Sequence, residues 1–254
     1  MSDTPRRPKK PETTLVVTAS EDLGPGMVRL RFSSEDLGAF AASTQTDRYV
    51  KLVFETPQGP VLRTYTAVEP DLAAGTVTID FVVHGTEGVA GPWARAAAPG
   101  DSIVARGPGG GYAPDLTADW HLFAGDESGL PAIRAALAAL PAETIGYTLI
   151  EVPDAAHEQT LDAPAGVQVA WLHTDGTDVL LDAIKALPWP EGRVQAFVHG
   201  EAQTVMHGIR PYLFKERGLP RADVSISGYW RRGRTEETFR DWKKELAEAE
   251  SGTA

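Results

Sequence analysis

Two rhythms of apolar and polar residues divide the chain. From Thr14 to about Gly107, apolar positions recur every second residue in short runs: "TTLVVTASEDL", "MVRLRFSS", "DRYVKLVF", "VLRTYTAV", "TVTIDFVVHG" and "DSIVARGP". Each run is bounded by Gly, Pro, Asp or Ser, the residues that favour turns. Six strands at short spacing predict a closed antiparallel β-barrel, the arrangement that leaves no edge unpaired. "GPWARAAA", residues 91–98, predicts a helical turn or more between the last two strands. From Ala118 the apolar runs become nearly continuous and alternate with helical stretches. Strands are expected at "WHLFAGD", "IGYTLIEV", "VQVAWLHT", "RVQAFVHG" and "DVSISGYW". Helices are expected at "LPAIRAALAALP", "VLLDAIKAL" and "EAQTVMHGIRPYLFKERG", with a charged helix at the C-terminus. Strand, helix, strand in this pattern predicts a parallel sheet covered on both faces. The expected fold is therefore α+β with two domains, a six-stranded antiparallel barrel over 14–115 and a parallel α/β domain over 116–254, joined near "GGGYAPDLTADW".

Composition narrows the partners. The chain has 254 residues, 42% hydrophobic and 23% charged, values typical of a globular protein. A net charge of −11 argues against holding nucleic acid through the overall field. The absence of cysteine removes disulfides, thiolate metal sites, cysteine nucleophiles and iron–sulfur ligation. No apolar run approaches the roughly 20 residues of a membrane helix. The start, "MSDTPRRPKKPETT", is basic but lacks an apolar segment behind it, so it is not a secretory signal; residues 1–13 read as a flexible basic arm. A cytoplasmic protein without a membrane or nucleic-acid partner is expected.

Candidate chemistry sits in a few segments. On the strand "VLRTYTAV", side chains 63 and 65 share one face and 64 and 66 the other. Arg63 and Tyr65 on a wet face is one reading; Arg63 on an anion, with Tyr65 and Thr66 against a flat polar ring, is the other. In "GTEGVAGPWA", 85–94, glycines and a helix start suit a pyrophosphate, yet an ordinary loop with Pro92 in the first helical turn explains them as well. "RGPGGGYAPD", 106–115, reads as a ligand loop or as an interdomain linker. In "FAGDESGLPAI", Asp126 and Ser128 either cap the following helix or place a nicotinamide or substrate beside Gly125 to Ser128. "GYWRRGRTEE" puts Arg231, Arg232 and Arg234 beside two aromatic residues, a local reversal of charge. It reads as a turn paired with Glu236 and Glu237, or as an anion-facing wall. The six histidines show no HExxH or other close ligand spacing, so no metal site is expected. No GxGxxG opening a helix, Walker loop or GxSxG elbow is present.

Taken in order, "YVKLVF", "RTYT", "DFVVHG", "GPWA", "PGD", "RGPGG", "AGDESGLPAI", "HGE" and "GYWRRG" resemble the siderophore-interacting protein family, a branch of the ferredoxin reductase-like flavoproteins. The resemblance implies an FAD-binding barrel followed by a nicotinamide-binding domain. It implies reduction of a ferric siderophore to the ferrous state, with electrons from NADPH, NADH or a ferredoxin. The FAD would be held by Arg63 on the pyrophosphate and by Thr64, Tyr65 and Thr66 along the ring and ribityl chain, with Thr66 near N5. Asp80, Val83, His84, Gly91, Trp93 and Ala94 would line the rest. The electron-donor site would comprise Gly125, Asp126, Glu127, Ser128, His173, Gly200 and Glu201. Lys51, Arg134, Arg231, Arg232 and Arg234 would receive an anionic ferric siderophore. Two positions depart from the common family pattern: Ser128-Gly129 replaces Thr-Ala, and Thr174 stands where many members carry Arg. The second change shifts weight from NADPH towards NADH or a ferredoxin. Reducing a chelated iron requires no protein acid, base or nucleophile, which agrees with the lack of a triad. A general NAD(P)H:flavin or ferredoxin reductase, and a non-catalytic siderophore carrier, are the alternative readings. A monomer is expected.

Overall fold

The computed structural model describes residues 11–83, 88–174, 177, 179–234 and 238–239. The chain divides into two compact units, with the break after Ala113 and with Gly24–Gly26 grouped with the second.

The first unit is a closed barrel. Its strands are β1 (Glu12–Asp22), β2 (Met27–Ser33), β3 (Tyr49–Phe54), β4 (Val61–Asp71), β5 (Thr76–Val82) and β6 (Ser102–Gly109), in spatial order β1-β2-β5-β4-β3-β6. Every pairing is antiparallel. Two short helices are inserted, α1 (Gly38–Ala41) and α2 (Ala90–Ala96). Period-two alternation decides what faces inward: Leu15 and Val17, Leu30 and Phe32, Val50 and Leu52, Ile79 and Phe81, and Ile103 and Ala105 form one core. β1 takes in Glu12 and Thr13, which the sequence reading assigned to the arm, because they pair with Arg106 and Ala105 on β6. Within the barrel, Arg29 on β2 lies directly opposite Asp80 on β5. Its Nε and Nη2 donate to the two carboxylate oxygens at 2.7 and 2.8 Å.

The second unit is a parallel sheet of β7 (Trp120–Asp126), β8 (Ile145–Val152), β9 (Gly166–His173), β10 (Val194–Glu201) and β11 (Val224–Trp230), in order β11-β10-β7-β8-β9. The central strands β7 and β10 are buried along nearly their whole length, which explains their continuous apolar sequence. Helix α3 (Leu130–Ala138) follows β7, and α4 (Val179–Ala186) follows β9. The order reverses between β7 and β10, and in open α/β sheets ligands bind beyond the carboxyl ends of strands at such a point. At the amino ends of the strands, Arg193 bridges Asp115 at 2.6 Å and Asp223 at 2.8 Å. Hydrogen bonds from Thr117 and the Arg193 guanidinium hold the Asp115 carboxyl at about 2.

One helix differs from its expected form. After β10 the chain winds more widely than an α-helix over Gln203–Ile209 and Tyr212–Glu216. Arg210 N–H reaches Val205 O and Arg217 N–H reaches Tyr212 O, five residues back rather than four. Pro211, which has no N–H to donate, lies between the two stretches. Residues 1–10 of the expected basic arm and the charged C-terminal helix beyond Phe239 lie outside the described residues.

Candidate functional site

In the barrel, the "RTYT" strand is placed by its register with β3: Leu52 faces Arg63, Lys51 faces Thr64, Val50 faces Tyr65 and Tyr49 faces Thr66. Tyr65 is not on a wet face. Its ring packs on Phe81 at 4.5 Å between centroids, and Phe81 in turn meets Trp93 of α2 at 5.9 Å. Trp93 also stands edge-on to Phe54 at 5.6 Å. These contacts bring β4, the end of β5 and α2 to one part of the barrel wall. Gly91 lets α2 lie close to the end of β5, since a Cβ on it would stand 3.3 Å from Val83 Cγ1. Ala94 is fully buried and Val83 nearly so, so both pack α2 onto the strands. Arg63 is half-buried and donates to Leu62 O at 3.0 Å, Thr64 is exposed, and Thr66 is 7% exposed. The strand thus offers a guanidinium and a phenol on one face and two threonine hydroxyls on the other, with Trp93 joined to Tyr65 through Phe81, groups of the kinds that a ligand both anionic and aromatic would use. The structure does not bring Asp80 into this set as a free carboxylate: it is 2% exposed, with both oxygens engaged by Arg29. His84 lies outside the described residues.

In the second unit, the ends of β7, β10 and β11 are bound together by one carboxylate. Asp126 Oδ1 accepts the amide of Ser128 at 2.9 Å and its hydroxyl at 2.5 Å. Asp126 Oδ2 accepts the amide of Glu201 at 2.8 Å and the indole N–H of Trp230 at 2.7 Å. Asp126 therefore does not cap α3, whose preceding residue is Gly129 with no side-chain cap. Glu201 continues the bracket: its two oxygens accept the amides of Thr204 at 2.9 Å and Arg232 at 3.0 Å. Arg231 Nη2 donates to Gln203 Oε1 at 3.0 Å, and Arg234 Nη1 to Thr238 O at 3.3 Å. Glu236 and Glu237 lie outside the described residues.

The glycines of these segments are explained by the same interlocking. A side chain on Gly125 or Gly129 would collide with the carbonyl of His199, and one on Gly200 would come within 2.8 Å of Asp126 Oδ2. A side chain on Gly228 would reach 2.5 Å from Ala202 Cβ. Segments far apart in sequence thus need glycine in order to approach each other. His199 stacks on Phe197 at 3.9 Å and meets Ser225 Oγ through Nε2 at 2.9 Å.

Glu127 is 6% exposed, and burial pushes its carboxyl above the usual carboxylate range, opposed by His157 and reinforced by Asp126 and Asp154. Beyond β8 and β9, Asp154 Oδ1 lies 2.9 Å from His157 Nδ1, and Glu158 Oε1 lies 2.7 Å from His173 Nε2. Arg134 is turned to this segment, donating to Thr160 O at 3.1 Å and Gln159 Oε1 at 2.8 Å. Sequence reasoning missed Trp230 as an anchor and the acid–histidine pairs; the Asp-x-x-His spacing of 154 and 157 was the available signal for one of them.

The family model "Siderophore-interacting FAD-binding domain" matches residues 55–112, and "Siderophore-interacting protein" matches 118–233. An uncharacterised protein of Mycobacterium tuberculosis is 45% identical, over 96% of this chain and 99% of its own. The ferric vibriobactin reductase ViuB of Vibrio cholerae is 36% identical, over 72% of this chain and 69% of its own. The crystal structure of a siderophore utilization protein from T. fusca superposes with a TM-score of 0.80 at 37% identity, covering 89% of this chain and 94% of that one. On these matches, and with a barrel and a parallel sheet in the family's order, the chain belongs to the siderophore-interacting protein family.

Proposed function

We propose that the protein is an FAD-dependent reductase of ferric siderophores, drawing electrons from a nicotinamide dinucleotide or a ferredoxin and acting as a cytoplasmic monomer. The observation that supports the reading is that the "RTYT" strand, with Tyr65 packed through Phe81 against Trp93, lies within the segment that matches an FAD-binding family model. Bound FAD supplies the capacity to take up an electron pair and release electrons singly, which the polypeptide lacks. Arg63 would hold the diphosphate through charge-assisted hydrogen bonds. Tyr65, fixed against Phe81, would present a rigid aromatic edge to the flavin, and Thr66 its hydroxyl. Arg231 and Arg232 on the second unit are proposed contacts for an anionic ferric chelate, and Lys51 is proposed separately as a basic position of the barrel. In a chain of net charge −11 such basic positions counter the general repulsion of an anion. Arg134 is spent on the 159–160 segment and is a weaker candidate.

The purified protein is expected to be yellow and, once reduced anaerobically, to convert a ferric siderophore to a ferrous product trapped by an iron(II) chelator. Arg63→Ala should weaken FAD binding by about tenfold or more, the value of one charge-assisted clamp. A colourless protein that still binds ferric siderophore would favour the carrier reading. Equal FAD dissociation constants would remove Arg63 from the site.

A further inference from the structure

The side of the sheet that leads away from the Asp126 bracket bears on the electron donor that the second unit would accept. From β7 the chain steps outward to β8 and then to β9 at the edge. Past β8 it makes a tight turn, Ala155–His157, in which Asp154 Oδ1 accepts the amide of Ala156 at 2.8 Å and meets His157. Past β9, His173 holds Glu158, and Arg134 from α3 fastens residues 159 and 160. The turn is thereby tied to β8, β9 and α3 at once. It presents two carboxylates whose side chains remain 63% (Asp154) and 39% (Glu158) exposed. Hydrogen bonds from His157 and the Ala156 amide hold the Asp154 carboxyl below the usual carboxylate range, so it stays charged.

In dinucleotide-binding sheets, the acid beyond the strand next to the first accepts a hydrogen bond from the ribose 2′-hydroxyl, whereas a 2′-phosphate is met by arginine. This sheet has fixed carboxylates at that place. It also has no cation to offer from its own stretch of chain: between Ala135 and Ile184 there is no lysine or arginine, against eight aspartates and glutamates. Among the described residues, Arg134 reaches the turn, and it donates to a backbone carbonyl and an amide oxygen there. A 2′-phosphate, carrying close to two negative charges, would face Asp154 and Glu158, while the nearby histidines and Arg134 are already engaged with this turn.

We propose that the donor is a nicotinamide dinucleotide lacking the 2′-phosphate, NADH, and that Asp154 and Glu158 are the residues that exclude NADPH. The inference rests on the proposed reading of this unit as the donor domain. Two exposed carboxylates acting on a near-dianion in screened water correspond to discrimination of about tenfold. Arg134 and His173 act as positioning residues, holding the carboxylates at the strand ends.

Isothermal calorimetry on the full FAD-loaded chain at pH 8 tests the inference without turnover, using ADP-ribose and its 2′-phosphate as probes. ADP-ribose should bind about tenfold more tightly than the 2′-phosphorylated compound. The ratio should contract to about threefold or less in Asp154→Asn/Glu158→Gln, with most of the change in the phosphorylated probe. Raising salt should contract it in the parent as well. Equal or tighter binding of the 2′-phosphate by the parent would overturn the inference, as would an unchanged ratio in the double variant. Binding of neither probe, by a protein that still holds FAD, would overturn the donor-domain reading itself and the inference with it.

Discussion

Asp126→Asn isolates the bracket that joins three strands. The carboxylate accepts four hydrogen bonds, two on each oxygen, all at 2.5–2.9 Å. An amide of the same shape keeps one acceptor oxygen and replaces the other with an NH₂ group. If the NH₂ faces β10 and β11, it meets two donors that have no acceptor capacity, the Glu201 amide and the Trp230 indole. If it faces Ser128, the hydroxyl can rotate to accept, but the Ser128 amide loses its partner. The second orientation is the cheaper one. It removes one hydrogen bond to a charged group and the charge assistance of the two that remain on the opposite oxygen. At about 1.5–3 kcal/mol for a bond to a charged group, the expected destabilisation is about 2–4 kcal/mol. In a chain of this size that lowers Tm by about 5–15 °C. Differential scanning calorimetry of the parent and variant, both with FAD added, reads the shift directly. Tryptophan emission should change alongside it, because Trp230 is tied to the same oxygen pair. A shift below 1 °C would show that the four contacts contribute nothing net and that the strand ends are held by packing alone.

Two further outcomes follow from burial and close approach. Burial raises the Glu127 carboxyl in the folded state, so its contribution is fully present below the unfolded value near 4.3 and is lost as pH rises through the folded one. Glu127→Gln should therefore gain urea resistance over the parent on going from pH 4.5 to pH 7.5, and an equal difference at the two values would refute the burial argument. Gly129→Ala places a methyl 2.5 Å from the His199 carbonyl and should cost about 1–3 kcal/mol, whereas Gly111→Ala, with nothing within 4 Å, should stay within about 0.5 kcal/mol. Urea titration of both variants checks the contrast, and equal losses would show that the backbone yields freely at 129.

The strands and their order of types were legible because each carries its own periodic signal. "VRLRF" alternates and builds a barrel wall; "HLFAG" does not alternate and fills a central parallel strand. The site was legible only in part, because its decisive contacts are distant in sequence. Asp126 reads locally as a helix cap, yet its partners Glu201 and Trp230 lie 75 and 104 residues further on. Asp80 is set beside the cofactor only by the family resemblance, and the register of β2 on β5 reveals Arg29 opposite it. Arg134 follows the same rule, since its partners sit across a loop that no local pattern predicts. Tyr65 shows the reverse case: strand alternation correctly put it on the face of Arg63, but packing on Phe81 made that face apolar at 65.

The wide winding after β10 bears on how this stretch of chain tolerates changes of length. In an α-helix, deleting one residue turns everything beyond it by about 100° and carries the buried face into solvent. A helix whose amides already reach five residues back contains, in effect, a spare residue. Removing one position among 206–208 would let the segment tighten into ordinary α-winding, so that Val205 on one side and Tyr212 and Leu213 on the other could keep their places in the core. Length polymorphism, usually confined to loops, therefore has a natural home inside this helix, and homologous chains one residue shorter here would be expected to align without a gap in the strands on either side.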